Sequence, residues 1–338
     1  MKGSKLAEIL PIGSALAEAA RRLLTGDVVA IPTETVYGLA ADATNGEAVA
    51  RIFETKGRPR FNPLITHVAT IAMAERIALF DPLSRKLADA FWPGPLTLVL
   101  PLRKEAGIHP LVTAGLETIA LRMPVGFMSD LITEIGRPLA APSANSSGRI
   151  SGTTAEAVER DLGSRIGLIV DGGPTPVGLE STIVKVGVEV GGVGVRLLRP
   201  GGTPAEAIEA VACVRLERGA KSGVEAPGML LSHYAPKAAV RLDAGDVRAG
   251  ETLLAFGPER VEGTEKARAC LNLSPSGDLR EAAANLFTYM HRLDAAGAAT
   301  MAVEPIPRSG LGEAINDRLK RAAAPRDTPS RDMPLSRS

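Results

Sequence analysis

The apolar run Val28-Val29-Ala30-Ile31 passes without a break into Pro32-Thr33-Glu34-Thr35-Val36-Tyr37-Gly38-Leu39. Such a run reads as a buried strand. It sets three hydroxyls and a carboxylate at the strand's end, where open α/β sheets hold their ligands. One helix length later comes Lys56-Gly57-Arg58-Pro59-Arg60-Phe61-Asn62-Pro63-Leu64-Ile65. Two cations around a glycine can lean over backbone that a ligand approaches closely. Cations, clustered hydroxyls and a tight glycine suit a ligand that bears phosphate or carboxylate. A third polar segment, Ala140-Ala141-Pro142-Ser143-Ala144-Asn145-Ser146-Ser147-Gly148, adds hydroxyls and an amide.

Hydrophobic spacing organises the rest. Residues 14–25 read as an amphipathic helix stopped by Gly26, and Asn45 can cap a second helix to about 55 with Val49, Ile52 and Phe53 inward. Strands are predicted at 27–31, 64–68, 96–100, 118–122, 166–170, 181–186 and 195–198. Helices are predicted at 70–79, 83–91, 126–135, 153–161 and 204–211. The two kinds intermix without strict βαβ order, so the expected fold is α/β, a twisted mixed sheet with helices over residues 1–214. Residues 215–236 carry charge, Gly and Pro and read as a linker. Beyond it, strands near 240, at 252–256, 269–273 and 300–303, with helices at 278–295 and 312–323, predict a smaller doubly wound C-terminal α/β domain over 237–323. That domain carries no phosphate fingerprint of its own and looks regulatory or structural. Residues 324–338, rich in Pro, Ser, Arg and Asp, read as a disordered tail.

Composition excludes several function classes. A chain of 338 residues suits two domains, and it contains no apolar stretch long enough to span a membrane. Glu8, Pro11 and Glu18 interrupt the N-terminal apolar patches, so no signal peptide is expected. Cys213 and Cys270 lie outside any CxxC pattern, which disfavours a disulfide framework or a zinc site and points to a reducing cytoplasm. With a net charge of +1 and 3% aromatic residues, there is neither a global basic field nor many platforms for stacked bases. Any RNA contact would be local. No GxxxxGK[ST] loop occurs, Gly192-Val193-Gly194 lacks the last glycine of a dinucleotide fingerprint at Leu197, and four scattered histidines disfavour a hydrolase triad.

By residue type and spacing alone, each candidate keeps a structural alternative. Lys56 and Arg58 could be a solvated helix end that complements the helix dipole, and as long cations at a helix exit they are expected to be dispensable for the fold. His67, at the end of strand 64–68, could be a structural histidine, and Thr33, Thr35 and Tyr37 could cap a turn. Arg122 could be a surface ion-pair partner, and Pro142-Ser143-Ala144-Asn145 an Asx-type turn. The stretch Pro227-Gly228-Met229-Leu230-Leu231-Ser232-His233-Tyr234-Ala235-Pro236 is rich for a spacer. It either docks the linker against a domain or closes over a ligand, with Gly228 as a hinge.

These motifs stand in a definite order, followed by Leu179-Glu180-Ser181-Thr182-Ile183, Arg199-Pro200-Gly201 and His233-Tyr234-Ala235-Pro236. In that order, from about residue 14 to about 323, the chain resembles the YrdC-like family in its long form with a C-terminal extension. The resemblance implies an enzyme that joins L-threonine, bicarbonate and ATP into threonylcarbamoyl-AMP and releases pyrophosphate, for the threonylcarbamoyladenosine modification of tRNA. It implies that Lys56, Arg58, Ser143 and Asn145 serve catalysis at the phosphates, and that Arg58, Asn62, Thr118, Ser143, Ser151, Arg199 and Tyr234 bind ATP. Thr35, His67, Arg122, Ala141 and Ser181 would hold threonine, with Thr33 and Tyr37 as neighbours and Arg196 as a further candidate for ATP. Mg2+ is expected with the triphosphate, although no side-chain set for a protein-held metal is discerned. Expected partners are a downstream tRNA threonylcarbamoyl transferase and, weakly, tRNA; no membrane is expected. The rival expectation is a non-enzymatic RNA-binding module with a basic cleft.

Overall fold

The computed structural model describes residues 6–189, 192–218, 225–226 and 233–325. One sheet contains β1 (Glu8–Pro11), β2 (Val29–Ile31), β3 (Gly38–Asp42), β4 (Ile65–His67), β5 (Leu96–Pro101), β6 (Thr118–Arg122), β7 (Leu139–Ala140), β8 (Leu168–Asp171), β9 (Thr182–Glu189), β10 (Gly192–Arg199) and β11 (Leu216–Arg218). A second contains β12 (Ala239–Arg241), β13 (Thr252–Ala255), β14 (Ala269–Asn272) and β15 (Thr300–Val303). The helices are α1 (Leu16–Leu24), α2 (Gly46–Lys56), α3 (Ile71–Ile77), α4 (Pro82–Phe91), α5 (Pro110–Thr113), α6 (Phe127–Ile135), α7 (Ala155–Leu162), α8 (Ala205–Ala212), α9 (Leu279–Ala295) and α10 (Leu311–Ala323).

The large sheet runs β1-β8-β2-β3-β7-β4-β6-β5-β9-β10-β11 and mixes parallel with antiparallel pairs, as expected from the broken βαβ order. The small sheet, β12-β15-β13-β14, is wholly parallel; α9 makes the crossover from β14 to β15, whereas β12 joins β13 without a helix and only a short 3-10 turn lies between β13 and β14. Local chemistry sets the ends of the elements. Asn45 Oδ1 accepts from the amides of Glu47 and Ala48 at 3.0 and 3.2 Å to open α2, and Gly57 closes it at φ 60°, a backbone state that favours glycine.

Alternation along β6, β5, β9 and β10 divides core from cleft. Leu96, Leu98, Leu100, Ile119, Leu121, Val184, Val195 and Leu197 face α3, α4 and α8 in one apolar cluster. The opposite side carries Thr97, Val99, Ala120, Arg122, Ile183, Lys185 and Arg196. There Ala226 of the linker packs on Ile65, Val99, Ala120, Ile183 and Leu198. A register shift between Leu197 and Arg199 pairs Arg199 with Ile183, so Arg196 and Arg199, three residues apart, both project to the cleft side.

Several short elements escape the periodicity. β1, β3, β7, β11 and α5 were not predicted, because two to five residues hold too few turns of a pattern to register. β11 pairs in parallel with β10 through Val195 and Leu216, so the first sheet extends to Arg218, past the expected boundary at 214. The expected hinge at Pro227 and Gly228, and the tail from 326 onward, lie outside the described residues.

The two sheets' units share a core. Val36, Ile150, Leu179 and Tyr234 join Leu286, Phe287, Met290, Ile315 and Leu319 in one cluster. Gly178, at φ 71°, lies so close to α9 that a Cβ there would stand 2.3 Å from the Ala283 carbonyl oxygen.

Candidate active site

The end of β2, the ends of β4 and β6, the segment after β7, the start of β9, the end of β10 and the linker converge on one cavity. Its walls include Thr35, Arg58, His67, Arg122, Ala141, Ser143, Glu180, Ser181, Arg199, His233 and Tyr234. Residues remote in sequence meet there because β4 pairs with β6 (His67 opposite Arg122) and β5 pairs with β9.

One half of the cavity is built for a carboxylate and a hydroxyl. Arg122 is buried; its Nη1 donates to Thr35 Oγ1 at 2.9 Å, and its Nε donates to the Gly94 carbonyl at 3.3 Å. Its Nη2 forms an ion pair with Glu34 Oε1 at 2.6 Å. Thr35 Oγ1 and Thr33 Oγ1 lie 2.8 Å apart, and Thr33 Oγ1 donates to the Val36 carbonyl. Ser181 Oγ and Thr97 Oγ1 share a hydrogen bond at 2.7 Å. His67 is neutral: burial, then the adjacent Arg122 charge, push it down to about 3, and its Nδ1 has no partner. Ala141 supplies an apolar wall.

The other half is cationic. Arg199 donates from Nε and Nη2 to the Ser181 carbonyl and from Nη2 to Ser181 Oγ. Arg58 donates to the carbonyls of Asn62 and Pro63 at 3.2 and 2.8 Å. Burial, then the Arg199 charge, lower Arg58 to about 10; burial also lowers Arg199. Neither guanidinium has a carboxylate partner among the described residues. Glu180 is the acidic group here, bonded by Ser151 Oγ at 2.5 Å and by Arg318 Nε at 2.8 Å. Burial opposes its ionisation, but Arg318, Arg199 and these hydrogen bonds outweigh that and hold it at about 2. Tyr234 stacks on Phe287 at 5.5 Å between ring centroids, with its backbone at φ 62°.

Lys56 departs from the expectation of a cation dispensable for the fold. It is 3% exposed, and its Nζ donates to the carbonyls of Ser143 and Asn145, at 2.6 Å to the former. It thus props the 143–145 loop from beneath rather than lining the cavity. Burial, then the Arg58 charge, depress its pKa well below the usual lysine range. Arg58 likewise staples its own loop. Asn62, Asn145 and Ser151 are buried one layer behind the wall, the oxygens Asn62 Oδ1 and Asn145 Oδ1 without partners. Thr118 begins β6 on the same side as Arg122 but four residues away and outside the cavity wall. Arg196 points to the cleft side yet is bound to Glu225, with Lys185 on the same carboxylate. Thr97, the carboxylate of Glu180 and Arg318 received no role from the sequence; Arg318 was legible as a charge in the apolar stripe of α10.

Comparison with known proteins identifies the family. A family model described as telomere recombination, for Sua5, YciO and YrdC proteins, matches residues 21–201. A second, described as the C-terminal domain of threonylcarbamoyl-AMP synthase, matches residues 203–324. The chain is 41% identical to the threonylcarbamoyl-AMP synthase of Bacillus subtilis, over 92% of this chain and 93% of that one. It is also 41% identical to the Pyrococcus abyssi synthase, over 90% and 93%. The crystal structure of P. abyssi Sua5 complexed with L-threonine superposes with a TM-score of 0.83 at 36% identity, covering 94% of this chain and 98% of that one. The chain belongs to the Sua5/YrdC family, in the long form that carries the C-terminal domain. Its activity is that of a threonylcarbamoyl-AMP synthase, a nucleotidyltransferase of threonylcarbamoyladenosine biosynthesis. That activity displaces the expectation of a non-enzymatic RNA-binding module. Among the described residues, no helix is long and apolar enough to cross a membrane.

Proposed function

We propose that the cationic half of the cavity receives the ATP phosphates and the Arg122 half receives L-threonine. The observation that carries this reading is the pair of buried guanidiniums, Arg58 and Arg199, neither of which makes an ion pair with a carboxylate among the described residues, the nearby Glu180 being bonded to Arg318. Unpaired buried cations are costly unless an anion completes them. Ser143 adds a hydroxyl, Lys56 and Asn145 hold its loop in place, and Asn62, Thr118, Ser151 and Tyr234 flank the nucleotide. Threonine's carboxylate is received by the Arg122 guanidinium at the cavity wall. Its hydroxyl lies among Thr35, Ser181 and neutral His67, and its methyl lies against Ala141.

The chemistry follows from charge and position. The threonine amine attacks the carbon of bicarbonate, water leaves, and the N-carboxylate forms. A carbamate oxygen then attacks the α-phosphorus of ATP, forming the acyl–phosphate bond while the bond to pyrophosphate breaks. Arg58 and Arg199 neutralise charge that grows on the departing pyrophosphate. No strongly basic side chain is needed for the second step, since the carbamate is already anionic.

The donor set does not fit a protein-held divalent ion. Both carboxylates at the cleft, Glu34 and Glu180, are engaged by Arg122 and Arg318, and among the described residues no three His, Cys, Asp or Glu side chains converge. Mg2+ is therefore assigned to the nucleotide as part of the substrate, and no step here runs through it.

The cavity encloses about 50 Å³, room for a few waters rather than a nucleotide. Admitting ATP therefore requires the cavity to widen, and we place that movement at the wall that His233 and Tyr234 form. The product serves a tRNA threonylcarbamoyl transferase in the cytoplasm, with any contact to tRNA itself weak. The test is pyrophosphate release from ATP by the purified protein, expected only when L-threonine and bicarbonate are both present. Equal turnover with any amino acid, or none with threonine, would overturn the assignment.

A further inference from the structure

Helix α10 buries Gly312, Ala314, Ile315, Arg318, Leu319 and Ala322 at helical spacing, so one of its apolar-face positions is an arginine. Arg318 is fully buried. Its Nε donates to Glu180 Oε2 at 2.8 Å, its Nη1 donates to Asp317 Oδ2 at 2.7 Å, and the guanidinium lies 5.1 Å over the Tyr234 ring. Its Nη2 is buried without any partner. A buried donor left unmade is costly, and in native proteins such a group calls for an explanation.

Neutralising Glu180 is the simplest role for this cation, but it leaves two facts unexplained. Arg199 already lies near Glu180, and neutralisation does not require a donor that bonds to nothing. The two cleft groups that Arg318 touches, Glu180 and Tyr234, both border the cavity. The last helix of the C-terminal domain thus sets a cation directly behind the part of the cavity wall formed by Glu180 and Tyr234, although Arg318 itself does not line the cavity.

We propose that Arg318 is a nucleotide contact supplied in cis by the C-terminal domain. Glu180 fixes the plane of its guanidinium, and Nη2 donates to a polyphosphate oxygen once ATP has displaced the Tyr234 ring. The inference rests on the reading of the cleft as an ATP site. It gives a domain without its own phosphate fingerprint a direct part in binding.

The test measures ATP and threonine affinities by calorimetry on the full chain, for wild type, Arg318→Met and the double variant Arg318→Met/Glu180→Gln. The double variant removes both members of the Arg318–Glu180 pair, leaving no carboxylate stranded by the loss of Arg318, and so guards against misfolding of the single one. Loss of a charge-assisted bond is expected to weaken ATP about 10- to 100-fold in both variants, with threonine affinity within about twofold of wild type. Arg318→Lys keeps the charge beside Glu180 but loses the fork, and should also bind ATP about tenfold more weakly. Wild-type ATP affinity in the double variant would show that Arg318 only neutralises Glu180, and an equal loss for both ligands would show general damage to the cleft; either overturns the proposal. A wild-type protein that binds no ATP would overturn the functional reading, and the role of Arg318 with it.

Discussion

Arg122 Nη1 and Thr35 Oγ1 lie 2.9 Å apart although 87 positions separate them in the chain. The bond links the end of β6 to the segment after β2 and fixes the guanidinium in the cavity wall. Arg122→Lys keeps the charge but not the fork. The KM for threonine should rise about 10- to 100-fold, while the KM for ATP changes by less than about twofold. Steady-state pyrophosphate release at varied threonine and varied ATP separates the two. Equal changes in both constants would mean that Arg122 does not discriminate between the substrates.

Lys56→Ala should cost stability as well as activity, because it strands the carbonyls of Ser143 and Asn145 in a buried loop. Two lost partners imply a destabilisation of about 2–4 kcal/mol, read as a lower urea midpoint at unchanged slope. A midpoint equal to wild type would refute the bridging role.

His67 and His233 are both pushed down from 6.5 to about 3, chiefly by burial. The folded protein keeps them neutral while the unfolded chain protonates them near 6.5, so the unfolded state binds more protons below that pH. Their stabilisation is complete above about 6.5 and is lost as pH falls toward about 3. Equilibrium unfolding between these limits should show stability falling with acid, and His67→Asn together with His233→Asn should flatten the slope. The same slope in that double variant would place the acid sensitivity elsewhere.

Gly178→Ala is expected to loosen the contact between the first sheet's unit and α9, since its Cβ would collide with backbone at Ala283 and Ala284. Left-handed strain adds about 1 kcal/mol. Limited proteolysis should cut the chain between its two units faster than in wild type. Unchanged protection would mean that α9 shifts to accommodate the methyl.

Much of this molecule is legible in its sequence. β6 was predicted at its observed residues, and Asn45 capped α2 as expected, because both signals are local. Most of the cavity wall was named through motif order. What escaped depends on distance. The bulge that turns Arg199 to the cleft is set by pairing with β9, the role of Lys56 is set by a loop 87 and 89 positions away, and that of Arg318 by a carboxylate 138 positions away. Charge at a helix exit looked dispensable for the fold because burial cannot be read from a neighbourhood in sequence.

The alternation of β5 and β9 has a consequence for how this chain tolerates change in length. Leu96, Leu98 and Val184 are core, whereas Thr97, Val99 and Ile183 face the cleft, and the assignment rests only on odd or even position. Inserting or deleting a single residue within either strand would exchange the two sets, presenting leucine to the substrates and threonine to the helices. Activity and foldedness therefore share one reading frame of side chains, and insertions can accumulate only in the connections between strands.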